Sequence, residues 1–414
     1  MSETRPGTTA SPVHAGSAGE VFAVFLKLGL TSFGGPVAHL GYFREELVRR
    51  RGWLAEEAYA GLVALCQFLP GPASSQVGMA IGLMRAGPLG MAAAWLGFTL
   101  PSALVMIAFA YGVAGADASG HGTAGWLAGL KIAAVAIVAD AVLGMARNLC
   151  PDRERRTLAL LAAAGAALVP GAAGQIGVIL AGGLLGLLWL KPSGDTPGQV
   201  AGLPSGRLPG SVPALAAFAL FALLLVLLPL AARAGADAGL TLFDTLYRAG
   251  ALVFGGGHVV LPLIESALVH PGGLTREAFL AGYGAVQAVP GPLFSFAAYV
   301  GAMMPGPPNG VAGAAIGLAA IFLPSALLVY AALPFWSRLA GQPRIRRAMA
   351  GINAAVVGLL GAAFWDPVVT SSLTSARALA LALLAYLALA LWRAPAWAVV
   401  AGAALAGAVL LRSS

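Results

Sequence analysis

The sequence predicts an all-α polytopic membrane protein of about 13 transmembrane helices, in two homologous halves that form an inverted repeat with broken helices. Three observations carry this. Apolar residues make up 59% of the chain, charged residues only 10%, and the mean hydropathy is +0.86, whereas a water-soluble globule is about 25% charged. Apolar runs of about 17 to 25 residues, the length that crosses a bilayer, recur from residue 20 almost to the C-terminus. The third observation is an internal repeat. Phe25 to Pro36 (FLKLGLTSFGGP) returns as Tyr247 to His258 (YRAGALVFGGGH), with Arg248 in the place of Lys27, Gly250 in that of Gly29, and Gly255 and Gly256 in those of Gly34 and Gly35.

In chain order, residues 1–19 are polar and rich in Ser, Thr, Gly and Pro, and read as a disordered tail without the features of a cleaved signal. Residues 20–190 form the first repeat, with spans near 20–41, 57–83, 87–113, 124–147, 157–171 and 173–190. Residues 191–211 are a linker, and 212–232 an extra connecting span without a counterpart. Residues 233–414 form the second repeat, with spans near 241–265, 277–303, 310–335, 345–364, 377–392 and 395–411. Six spans followed by one extra make the second half enter the membrane in the opposite sense. The basic residues support this orientation, since most fall on the side expected to be cytoplasmic. Arg44, Arg49, Arg50 and Arg51 are the exception, and share a loop with Glu45, Glu46, Glu56 and Glu57. A PGP segment that is re-entrant instead of spanning would change the parity.

Two further motifs obey the repeat. Gln67 with Pro70-Gly71-Pro72 corresponds to Gln287 with Pro290-Gly291-Pro292, and Pro101-Ser102-Ala103-Leu104 to Pro324-Ser325-Ala326-Leu327. Two prolines around a glycine cannot continue a regular helix. Irregular backbone at membrane depth survives only beside protein or a cavity. Broken helices in matching positions of two halves are the architecture in which substrate binds near the midplane, where freed N–H groups attract anions.

Candidate substrate ligands therefore cluster at the breaks. Lys27 and Arg248 are seven residues before Gly34 and Gly255, on one helical face, and a charge at the bilayer centre costs about 2.5–3.5 kcal/mol on insertion scales. They either converge on an anion or snorkel to an interface. Gly34, Gly35, Gly255 and Gly256 mark a helix break or close packing. Gln67, Gly71, Ser74, Ser75, Gln287, Gly291 and Ser295 flank the PGP breaks and offer donors to an oxyanion, or hydrogen bonds between helices. His258 is a ligand or a core histidine. Asn353 matches Lys131 in the repeat. Asp140 and Glu265 are the proton-coupling candidates, with Lys131 and Arg147 as alternative ion-pair partners for Asp140.

Other classes lack their signatures. The formal charge of +8 sits mostly between spans, so it speaks for topology and against nucleic acid. There is no phosphate-cradling Gly-rich loop ending in Lys-Ser/Thr, no HExxH, no CxxC and no GxSxG, which disfavours an ATP-driven pump or an enzyme and predicts no metal or cofactor. Cys66 and Cys150 read as isolated buried thiols.

The paired FGGP and FGGGH, the two PGP and two PSAL motifs, and GINAAVVGLL (Gly351 to Leu360) followed by Asp366-Pro367 resemble the chromate ion transporter family in its long-chain, two-domain form. The resemblance runs from about Val21 to Pro367 and departs at Gly257 and His258, which stand where the first half has Pro36 and Val37. It implies export of chromate across the cytoplasmic (inner) membrane of a bacterium or archaeon, with sulfate as the competing analogue and the membrane potential or a proton gradient as driving force. A transporter of sulfate or a related oxyanion is the alternative, with a membrane-embedded enzyme or receptor behind it. The lipid bilayer is the obligatory partner, and a homodimer one oligomeric arrangement open to it.

Overall fold

The computed structural model describes residues 16–118, 124–169, 172–191, 208–235, 237–254, 260–270, 273–336 and 342–411. Among these, secondary structure is helical throughout. The first repeat comprises α1 (Ala18–Thr31), α2 (Gly35–Phe43), a π-helical turn (Arg44–Arg50), α3 (Glu56–Phe68), α4 (Ala73–Ala118), α5 (Ala124–Leu149), α6 (Arg153–Leu168) and α7 (Ala172–Trp189). After α8 (Ser211–Ala234), the second repeat follows the same order: α9 (Ala238–Leu252), α10 (Val260–Leu268), α11 (Arg276–Val286), α12 (Phe296–Ala302), α13 (Gly310–Ala332), α14 (Pro343–Ala363), α15 (Ala376–Tyr386) and α16 (Ala396–Leu410).

The expected spans 20–41, 57–83, 241–265 and 277–303 are each divided between two helices. α1 has 14 residues and α3 has 13. At 1.5 Å per residue each is about 20 Å long, short of the ~30 Å hydrocarbon core. The physical cause is at the junctions: Gly34 and Gly35 adopt φ of +97° and +80°, a left-handed conformation that ends α1 and restarts the chain as α2. α4 is likewise interrupted, at Ala86 and Gly87, where φ is −136° and +68°. Gly82 and Gly90 then lie face to face, and a methyl on either would run into the other's backbone. Five helical stretches among the described residues are long and apolar enough to cross a membrane: Ala73–Gly115, Gly125–Leu149, Ser211–Ala234, Gly310–Phe335 and Pro343–Ser372. Beside these five stand the shorter apolar helices Gly174–Trp189, Leu293–Ala302, Ala376–Leu391 and Ala396–Leu410.

The halves interlock by exchange. α6 and α7 of the first repeat pack on α14 of the second, while α15 and α16 of the second pack on α5 of the first. Matching glycines make both seams: a Cβ on Gly351 would lie 2.6 Å from Gly186 Cα, and one on Gly407 would lie 2.6 Å from Gly129 Cα. Such small-residue seams let membrane helices approach closely. α8 rests on α9 and α13, with the Tyr247 hydroxyl donating to the Phe221 carbonyl at 3.0 Å. Most of its remaining surface is exposed and apolar, Val212 at 77% and Val226 at 59%, as suits a helix facing lipid. Cys66 and Cys150 are free and buried.

Candidate anion site at the crossed junctions

Each PGP loop crosses into the other repeat. The Gly71 N–H donates to the Val253 carbonyl at 2.6 Å, where α9 breaks, and the Gly291 N–H donates to the Ser32 carbonyl at 2.9 Å, where α1 breaks. Residues 32 and 253 are repeat mates, as are 71 and 291. The two bonds are therefore one contact made twice, the mark of a two-fold relation. Both glycines have positive φ, +123° and +99°. The PSAL serines explain why nothing larger fits: a Cβ on Gly291 would lie 3.0 Å from Ser102 Oγ, and one on Gly71 would collide with Ser325 Oγ. Breaks, PGP loops and PSAL segments thus meet at two equivalent points.

Those points differ in lining. In the first repeat Ser32, His39, Ser74, Ser75, Gln76 and Thr99 lie at or beside these points, all at most 3% exposed. His39 Nδ1 is 3.3 Å from Ser74 Oγ, and its ring meets Phe98 edge-on at 5.3 Å. Gln76 Nε2 donates to the Pro70 carbonyl at 2.6 Å, and Ser102 Oγ to the Thr99 carbonyl at 2.9 Å. Several polar atoms have no partner: Ser32 Oγ, His39 Nε2, Ser75 Oγ, Gln76 Oε1, Thr99 Oγ1 and Ser325 Oγ. A buried polar group left unpaired costs about 1–3 kcal/mol, so such a concentration marks a place that water or a ligand completes. The repeat mates of Ser32, His39, Ser74, Gln76 and Thr99 are Val253, Val260, Phe294, Phe296 and Phe322, all buried. Phe296 meets Phe279 at 5.2 Å and Phe294 meets Phe322 at 5.9 Å.

The two cations are each held by a carboxylate of their own half. Lys27 Nζ lies 3.0 Å from Glu46 Oε2, and Arg248 forms a bidentate pair with Asp244 at 2.9 and 2.6 Å. Arg248 also lines a small cavity with Thr245, Leu252, Ile176 and Leu263. Glu46 is shared with Arg51 at 3.0 Å and Arg50 at 3.7 Å. Burial pushes its carboxyl up, but hydrogen bonds from Lys27 and Arg51 and the charges of both outweigh it and hold the group below its ordinary value of 4.5. The loop carrying Arg44, Glu45, Arg49 and Glu56 is knitted by further ion pairs. Arg85, buried, pairs with Glu20 and stacks on Trp53 at 4.0 Å.

Of the other predicted residues, Ser74 and Ser75 are buried in the first repeat, whereas Gln67 is exposed on α3. Gln287 Nε2 and Asn353 Oδ1 are buried without partners, and Ser295 Oγ donates to its own Pro292 carbonyl at 2.6 Å. Gly255, Gly256 and His258 lie outside the described residues. Asp140 is exposed on α5 and pairs with neither Lys131 nor Arg147. Glu265 is nearly buried, 3.4 Å from Arg276, which also reaches Asp366 at 3.5 Å. Sequence reasoning missed Ser32, His39, Gln76, Thr99 and the PSAL serines as candidates. The available signal was asymmetry, polar residues in one repeat facing apolar ones in the other.

Fold and junctions together define a multi-pass, all-α membrane protein of two repeats that exchange contacts at broken helices. Comparison with known proteins gives this class a family: the one described as Chromate transporter matches residues 19–187 and 240–408. A chromate transport protein of Pseudomonas aeruginosa is 31% identical over 354 residues, covering 84% of this chain and 80% of its own. A probable chromate transport protein of Synechococcus elongatus is 28% identical over 82% of this chain and 81% of its own, and a chromate transport protein of Cupriavidus metallidurans 26% identical over 86% and 84%. No solved structure matches. The chain belongs to the chromate transporter family.

Proposed function

We propose that this protein is a secondary active transporter that exports chromate from the cytoplasm, across the cytoplasmic membrane of a bacterium or archaeon. It works by alternating access around an anion site at the repeat interface, with α8 returning the chain so that the second repeat is inverted. The observation that supports this most is the pair of crossed junctions, where Gly71 and Gly291 dock into the opposite repeat beside unpartnered buried donors. Rocking one repeat against the other would open and close such a site from either side. The donors here are hydroxyl, imidazole and amide groups, which recognise the oxygens of a tetrahedral dianion and not its central atom. That favours sulfate or a related oxyanion as the second reading. The paired Lys27 and Arg248 steer the anion or release their carboxylates during the cycle, and Asp140 and Glu265 remain the candidates for carrying protons.

Chromate uptake into inverted vesicles containing this protein alone, under imposed potential or pH gradients and with or without excess sulfate, tests the reading. Uptake that follows one gradient and is inhibited by sulfate is the expected result. Sulfate uptake without chromate uptake transfers the assignment to the second reading, and flux of neither ends both.

A further inference from the structure

His39 is 1% exposed, yet only one of its ring nitrogens has a partner. A histidine that serves the core has both nitrogens satisfied or none needed, and the symmetric position settles what the fold requires there: Val260, wholly buried and apolar. The partner of the ring follows the same rule, because Ser74 has Phe294 as its mate. An imidazole and a hydroxyl therefore stand where packing alone is met by a valine and a phenylalanine. The ring also lies against the backbone of Ser32, the residue whose carbonyl receives the crossing PGP loop, and so at the seam between the repeats.

Charge narrows its use. The titratable groups on the elements around His39 are Glu20 and Lys27 on α1, Tyr42 on α2, Arg44, Glu45, Glu46, Arg49 and Arg50 on the π-helical turn, Glu56, Glu57, Tyr59 and Cys66 on α3, and Arg85, Tyr111 and Asp117 on α4, with Tyr330 on α13. Lys27 is held by Glu46, Arg44 by Glu56, Arg49 by Glu45 and Arg85 by Glu20. The Tyr59 hydroxyl donates to the Leu40 carbonyl, and Cys66 is buried as a free thiol. The hydrogen-bond contacts of the ring are Ser74 Oγ and the Ser32 backbone. A dianion entering this junction meets dipoles whose nearest formal cations are already neutralised.

We propose that His39 contacts the transported oxyanion through Nε2, with Ser74 orienting the ring through Nδ1, and that one proton is held on His39 together with the anion. This rests on the transport reading given above. Nδ1 donates to the Ser32 backbone beside Ser74, so in the neutral ring Nε2 is left as an acceptor, and only the imidazolium donates to the backbone and to the anion at once. The proton comes from water and stays on the ring, so one positive charge enters with each dianion. Because linkage is reciprocal, an anion that favours the charged ring is itself bound more tightly when the ring is protonated.

The test is equilibrium binding of chromate and of sulfate to the purified full-length protein in lipid nanodiscs, between about pH 5 and pH 8, where imidazole titrates. Sulfate stays a dianion over that interval, so its pH dependence reports on the protein. Sulfate affinity in the unaltered protein is expected to fall with rising pH, approaching about tenfold per pH unit once the bound complex carries one proton that the free site lacks. His39→Gln, which keeps a donor but cannot charge, is expected to bind with a flat pH profile. His39→Val, the residue of the symmetric position, is expected to bind at least about tenfold more weakly at the acid end. Ser74→Ala is expected to shift the midpoint while keeping the slope. Binding by both His39 variants with the original affinity and pH slope would overturn the proposal, as would the absence of oxyanion binding to the unaltered protein. Binding that depends on His39 without any flux in vesicles would uphold it and remove the transport reading instead.

Discussion

The two repeats share a backbone plan but not an interior. In the first repeat Ser32 receives the opposite PGP loop, and His39, Ser74 and Thr99 are buried polar residues of the same half; in the second repeat their mates are Val253, Val260, Phe294 and Phe322. One half satisfies its volume with aromatic rings in contact, the other with polar groups that are only partly paired. Duplication supplied two equivalent frameworks, and divergence left one as a packed wall and the other as a place with unmet hydrogen-bonding capacity. A symmetric scaffold therefore does not entail a symmetric site.

The contrast can be broken most strongly at the packed wall. Phe294→Ser removes a buried ring and leaves a hydroxyl in its place, with an expected loss of about 3–5 kcal/mol, whereas Ser74→Ala at the mate should cost under about 1 kcal/mol while weakening anion binding. Thermal unfolding in detergent beside a binding measurement separates the two effects, and comparable stability losses would erase the distinction.

The ion pairs sharpen the comparison next. Arg248→Ala strands Asp244, whose side chain is 4% exposed, with an expected loss of about 3 kcal/mol. Lys27 is 53% exposed, and Glu46 keeps Arg51 and Arg50 when it is removed, so Lys27→Ala should cost under about 1 kcal/mol. Equal shifts in unfolding temperature would contradict this ranking. In transport, severe loss in both variants despite normal membrane insertion is the outcome expected if both cations serve the anion's path.

Crossing itself is tested by Gly291→Ala. It forces a side chain onto a backbone at φ +99° and against Ser102 Oγ, with an expected cost of about 1–2 kcal/mol from the conformation alone. Ser102→Gly in the same chain should recover the steric part, and no recovery would mean that the contact does not limit the site.

The smallest expected effect is acid sensitivity at Glu46. Its carboxyl is held below 4.5 in the folded protein, so it stabilises fully above the ordinary carboxylate value, and that contribution is lost as pH falls through the lowered one. Unfolding followed as pH drops below about 4 should show a softening of under about 1 kcal/mol that Arg51→Ala reduces.

Much of this was legible in the sequence because glycine and proline act locally. Gly34-Gly35 and the two PGP motifs announced breaks, and their constant spacing announced the repeat. Where each helix ends was not legible, since hydropathy sums across a break and joins α3 to the start of α4. Asp244 with Arg248 was readable as an i,i+4 pair on one helix, but Glu46 reaches Lys27 across nineteen residues and a loop. The crossing of Gly71 to Val253 and of Gly291 to Ser32 depends on how the halves dock, which no local pattern encodes. His39 was hidden for the opposite reason: a lone histidine has no period, and only comparison with its mate gives it meaning.

The exchanged helices carry a consequence for biogenesis. Since α5 is covered by α15 and α16, which are translated last, the first half leaves the ribosome with a small-residue seam still bare, and α14 arrives to find α6 and α7 already waiting. Assembly must therefore be completed after synthesis ends. Two half-length polypeptides cut within the linker, produced together, would rebuild the protein as a domain-swapped heterodimer, while either alone would remain an unfinished fold.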